Sequence, residues 1–113
     1  GEGVAVSDAT HEHVNVLGMD LVRWTYEQCI ADVAEGSDWA TIYVVVSENP
    51  GHGEATECLR QVKAHYEQIG KTVGGSVALN PAMRRVYEKS GITEYNEDYF
   101  ARYHTAADRT EGV

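Results

Sequence analysis

Basic residues are scarce in this chain. Lysine and arginine total 9 against 18 aspartates and glutamates, a formal net charge of −9 over 113 residues. A field of that sign repels phosphate backbones, so nucleic acid is not an expected partner. Any anionic ligand would have to be met by local donors, above all backbone N–H groups. Cysteine is rare as well. Cys29 and Cys58 stand alone, with no C-x-x-C or other paired spacing. Neither a disulfide framework nor a cysteine metal site is expected, and both read as reduced, half-buried side chains within helical patterns. No apolar run reaches membrane-spanning length, and no basic-then-apolar leader opens the chain. These absences point to a cytoplasmic protein with no membrane partner. Internal repeats and low-complexity linkers are missing too, which leaves a single domain over 1–113, with 1–10 and 105–113 as loose ends.

What is present is enough apolar residue, 42%, for a globular core. From His11 to about Glu35, Val14, Leu17, Leu21, Trp24, Ile30 and Val33 recur at mainly three- and four-residue steps, which predicts helix. Gly18 interrupts that stripe, with Asp20 as a cap for a restart, and Gly36 ends it. The near-continuous run Trp39–Val46 is β-branched and aromatic, as a buried central strand is. Glu48-Asn49-Pro50-Gly51-His52-Gly53 breaks it. Ala55, Leu59, Val62, Tyr66 and Ile69 then mark an amphipathic helix ending at Gly70. A second strand is expected over Thr72–Leu79, where Gly74-Gly75 signals a bulge or a close backbone neighbour. Pro81 opens a further helix that ends at Gly91. Ile92 to His104, with a turn at Asn96-Glu97-Asp98, reads as one or two terminal strands. The class is α/β: a layered mixed sheet flanked by helices.

A strand, a tight glycine loop and a helix together suit an anion. First-turn N–H groups have no helical acceptor, the helix dipole adds partial positive charge, and glycine lets a ligand come close. Gly51, His52, Gly53, Glu54 and Ala55 occupy that corner. Glu54 opposes a phosphate unless it points outward. The loop alone reads more simply as an ordinary turn.

A second segment changes its meaning. Asn80-Pro81-Ala82-Met83-Arg84-Arg85-Val86-Tyr87-Glu88-Lys89-Ser90-Gly91-Ile92 resembles the pattern N-x-x-A-x-x-L-Y-E-K-x-G-F of the GNAT superfamily of N-acetyltransferases. Asn80, Tyr87, Glu88, Lys89 and Gly91 coincide; Met83, Val86 and Ile92 depart in type. The loop resembles the same family's acyl-CoA signature R/Q-x-x-G-x-G/A, with Gly53 and Ala55 in place and Pro50 where Arg or Gln is usual. The resemblance spans Ile42 to Tyr95. It implies a GNAT-like fold, acetyl-CoA as co-substrate without metal, and transfer of the acetyl group to a small-molecule or peptide amine. It implies that the loop amides hold the pyrophosphate and that pantetheine runs between Ile42–Ser47 and Thr72–Leu79, beside Val46 and Ser47. Asn80 would cap its helix and touch the cofactor. Tyr87 would protonate the leaving thiolate, which suits a phenol of pKa ~10. Glu48, beside the loop, stands with ordered water as a base for the amine; its bland alternative is a solvated carboxylate.

The resemblance departs upstream, where the family has further antiparallel strands. Either the domain is trimmed of some N-terminal strands, or His11–Val16 supplies a strand. A trimmed domain would complete its sheet and pocket through a homodimer. Pro50 and the reduced N-terminal half favour a second functional class, a catalytically silent GNAT-like binding or structural module. His11-Glu12-His13 puts two imidazoles on one face of an extended chain, but no ligand cluster of matching spacing accompanies them and no metal is expected. Arg84, Arg85 and Lys89 form a small basic patch that would meet the phosphates of the CoA nucleotide or, more simply, stand as a solvated helix face.

Overall fold

The computed structural model describes residues 8–49, 51–76 and 81–95. Its N-terminal third overturns the helical expectation. The segment forms three antiparallel strands: β1 (Thr10–Val16), β2 (Met19–Tyr26) and β3 (Cys29–Glu35). Two-residue turns join them. Leu17 and Gly18 both adopt positive φ, at 52° and 80°, the twist that a tight hairpin needs; in the second turn Glu27 does so at 53°. The apparent helical stripe is an alias of this arrangement. Leu21 and Ile30 lie on one face of the sheet, Trp24 and Val33 on the other, and Leu17 sits exposed in a turn. Each strand keeps a period of two, and the turns shift its phase into three- and four-residue steps. The domain is therefore not short of strands here. His11–Val16 lies within β1, and two more strands follow it. Asp20 is no helix cap but a β2 residue whose Oδ1 accepts from Asn15 Nδ2 at 3.0 Å.

The remaining elements are β4 (Trp39–Ser47), α1 (Glu54–Gln68), β5 (Thr72–Gly75), α2 (Pro81–Lys89) and β6 (Glu94–Tyr95). The strands form one six-stranded sheet in chain order. β1 to β4 pair antiparallel, and β5 and β6 join parallel. Parallel neighbours need a crossover, which α1 supplies between β4 and β5 and α2 between β5 and β6. Both helices cover the same face. Val22, Trp24, Ala31, Val33 and Ile42 of the sheet pack there against Leu59, Val62 and Tyr66 of α1 and Tyr87 of α2. Fully burying one such aliphatic side chain contributes ~1.5–3 kcal/mol, so this layer holds the domain together. The opposite face carries a bidentate ion pair, Arg23 Nε to Asp32 Oδ1 at 2.8 Å and Nη2 to Oδ2 at 3.0 Å. The result is a small single-domain α/β fold with a mixed sheet and two helices, and no described helix is long and apolar enough to cross a membrane.

Two irregularities shape β4. Val33 pairs with Ile42 but Asp32 with Val44, so Tyr43 is an extra residue that bends the strand. The ladder to β5 stops at that same point, with Ile42 opposite Gly75. One further bond follows, from Ser76 N–H to the Ile42 carbonyl at 2.9 Å. β4 continues to Ser47 with β3 as its partner on the other side.

Cys29 lies in β3, not in a helix, while Cys58 is helical, in α1. Both are fully buried instead of half-buried, and both are free. The expected strand Thr72–Leu79 is described as far as Gly75. Its last residues, the Asn96-Glu97-Asp98 turn and the chain beyond it lie outside the described residues.

Candidate functional site

A cavity of about 360 Å³ opens where β4 hands over to α1. One wall is Val45, Ser47 and Asn49 at the end of β4; the floor is Gly51, Gly53 and the first turn of α1; the far wall is α2, through Ala82, Met83, Arg85, Val86 and Lys89. Period-two alternation places Val45 and Ser47 on the helix-bearing face and turns Val44 and Val46 away, where they are exposed. Helical spacing does the same for α2, since Ala82, Arg85, Val86 and Lys89 share one side.

The first turn of α1 is bare of capping side chains. Gly53 takes the N-cap position in the left-handed region, at φ 79°, and makes no side-chain capping hydrogen bond. The first helical bond runs from Glu57 N–H to the Gly53 carbonyl at 3.0 Å. The amides of Glu54, Ala55 and Thr56 precede it, so they have no acceptor within the helix. All three residues line the cavity. Arg85 and Lys89 add positive charge from α2. Glu54 works against them: among the described residues, its Oε1 is buried without a hydrogen-bond partner. A ligand suited to this cavity carries an acceptor-rich group for the amides and cations, and a donor for Glu54.

The expected site residues divide. Ser47, Gly51, Gly53, Glu54 and Ala55 come together in the cavity wall. Val46 turns its side chain to the opposite face and lies outside the wall. His52 is exposed and lies outside the wall, as does Glu48, whose N–H donates to the Gln28 carbonyl at 3.0 Å. Pro50 and Asn80 fall outside the described residues. Tyr87 is only 3% exposed and is not part of the wall. Its ring lies against the backbone of Gly75 and meets Tyr95 edge-on, centroids 5.8 Å apart. Burial first, then the neighbouring Tyr95, pushes its phenol up to about 12, which keeps the proton on at neutral pH. Arg85 and Lys89, which the sequence placed on a helix face open either to solvent or to a phosphate, are cavity residues; the available signal was their four-residue spacing on the side of α2 that carries Ala82 and Val86.

No protein-family model, curated protein or solved structure matches this chain. The site must therefore be judged on its own chemistry. Cys58 is no nucleophile for the cavity. Its thiol donates to Cys29, which raises Cys58 and lowers Cys29, and both lie fully buried outside the wall. Among the described residues, no group of three or more His, Cys, Asp or Glu side chains could hold a metal ion. The cavity offers uncapped amides and two cations.

Proposed function

We propose that the protein is an acyl-CoA-dependent N-acetyltransferase of GNAT type, moving an acetyl group to an amine. One observation carries this reading: the uncapped first turn of α1 opens directly into a cavity that Arg85 and Lys89 also line. That corner suits a diphosphate. The cavity wall of Val45 and Ser47 suits the extended pantetheine arm, whose amide N–H groups also match the buried acceptor of Glu54. In the reaction the amine nitrogen bonds to the thioester carbonyl carbon and the C–S bond breaks. Tyr87, protonated up to about 12, supplies a proton to the departing sulfur. The amine's own proton passes to ordered water or to Glu48.

A second reading has its own observation. Tyr87 is buried behind Gly75, away from the cavity wall, which favours a silent acyl-CoA-binding module. The two readings separate in a pair of measurements. Acetyl-CoA raises the melting temperature under both, because a ligand selective for the folded state stabilises it. Release of free thiol with a panel of amines occurs only under the first. Tyr87→Phe then lowers turnover about tenfold or more while the acetyl-CoA-induced shift stays near wild type. Absence of any thermal shift removes both readings.

A further inference from the structure

His11, Trp24 and His65 meet at the opposite end of α1 from its N-terminal cavity. His11 stacks on the Trp24 indole, centroids 4.4 Å apart and planes 28° apart. His65, in the last turn of α1, meets the same indole edge-on at 4.9 Å. The two imidazoles lie 5.4 Å apart. Their backing is fixed: Trp24 Nε1–H donates to Tyr66 Oη at 3.3 Å, and the Tyr66 hydroxyl donates to Glu35 at 2.6 Å. The indole is 4% exposed, whereas His11 is exposed and His65 half-buried, so the rings face solvent from a rigid wall.

The geometry points to a two-imidazole site for a divalent transition metal of the zinc class, bridging β1 and α1. Two histidines that share a tetrahedral ion, with metal–nitrogen bonds of about 2.0–2.1 Å, have ring centres about 5 Å apart. The 5.4 Å between the His11 and His65 rings lies close to that spacing. Imidazole is a preferred ligand for zinc, copper and nickel and a poor one for magnesium or calcium. Among the described residues no third protein ligand joins the pair, so water completes the shell. The local sequence pairs His11 with His13 instead. The fold sets His11 against Trp24 and His65, across 54 residues of chain, while His13 stands exposed opposite Val22. A bound ion would staple β1, which among the described residues is an edge strand paired with β2, to the helix layer. This inference is independent of the acyl-transfer reading.

The test is a melting curve of the full chain in rising Zn²⁺, with Mg²⁺ as the control cation. At ten times its dissociation constant, Zn²⁺ raises the melting temperature by about 6 °C, and Mg²⁺ has no effect. His11→Gln and His65→Gln each lose the Zn²⁺-dependent rise, measured against that variant's own metal-free curve; His13→Gln keeps it. In wild-type protein the imidazole resonances of His11 and His65 move with Zn²⁺ before those of His13 and His52. The inference is overturned if millimolar Zn²⁺ leaves the wild-type curve unchanged. It is equally overturned if His13→Gln loses the rise while His11→Gln keeps it, or if the His13 or His52 resonances respond first.

Discussion

Two adjacent glycines in β5 face opposite sides of the sheet and carry different constraints. A methyl group on Gly75 would sit 3.0 Å from Tyr87 Cζ, near the far end of a side chain. On Gly74 it would sit 2.6 Å from Trp39 Cζ3 and 2.8 Å from the Glu94 carbonyl oxygen, and that oxygen moves only if β6 moves. Overpacking of this kind costs ~1–3 kcal/mol. Gly75→Ala is expected near the lower end and Gly74→Ala near the upper end, read from urea unfolding midpoints. The reverse order would mean that the Tyr87 ring is held more rigidly than the β6 backbone. The paired glycines were legible in the sequence as a place of close approach. What approaches was not legible, because Trp39 and Tyr87 come from elements on either side of β5 in the chain.

At the scale of the element, α1 is fastened differently at its two ends. Its N-terminus depends on Gly53 holding φ 79°, with open space where a Cβ would go. Gly53→Ala therefore meets no clash and pays only the left-handed backbone penalty, ~1–2 kcal/mol. The variant should melt lower and show a smaller acetyl-CoA-induced rise, since the same backbone turn aims the amides into the cavity. An unchanged ligand-induced rise would detach the loop conformation from ligand binding. Near the C-terminus, Tyr66 accepts from Trp24 and donates to Glu35. Burial, reinforced by the Glu35 carboxylate, raises its phenol well above the usual range. Tyr66→Phe keeps the ring but leaves the buried indole N–H without its acceptor, a loss of about 1–3 kcal/mol. Urea denaturation measures it, and a change well below that range would show that water replaces the hydroxyl.

For the whole molecule, the buried phenols set an alkaline limit. Tyr87 is held up to about 12 in the fold, against about 10 for an unfolded phenol. A group raised in this way gives its full stabilisation below the unfolded value. The contribution declines as pH climbs from 10 towards 12, because the unfolded chain loses the proton first. Tyr66 acts in the same direction. Urea midpoints from pH 8 to 11.5 should stay level to about pH 10 and then fall, with Tyr87 accounting for at most ~2–3 kcal/mol. In Tyr87→Phe the fall is shallower. Parallel curves for mutant and wild type would show that Tyr87 is more solvated than its 3% exposure implies.

The C-terminal two-thirds of the described chain was written locally. The β-branched run Trp39–Val46, the helical spacing of Leu59, Val62 and Tyr66, and Pro81 at a helix start each act within one element, so spacing alone carried them. The glycine corner at Gly51 and Gly53 was equally local, and with it most of the cavity floor. The N-terminal third was not legible. A period of two, broken by turns at Leu17-Gly18 and Glu27-Gln28, imitates a helical period until strands pair and assign each side chain a face. Tertiary structure alone decided that Tyr87 turns inward onto Gly75 and that His11 meets His65. These contacts join residues far apart in the chain, and the energy that fixes them comes from burying one shared face of sheet and helices, which no local spacing records.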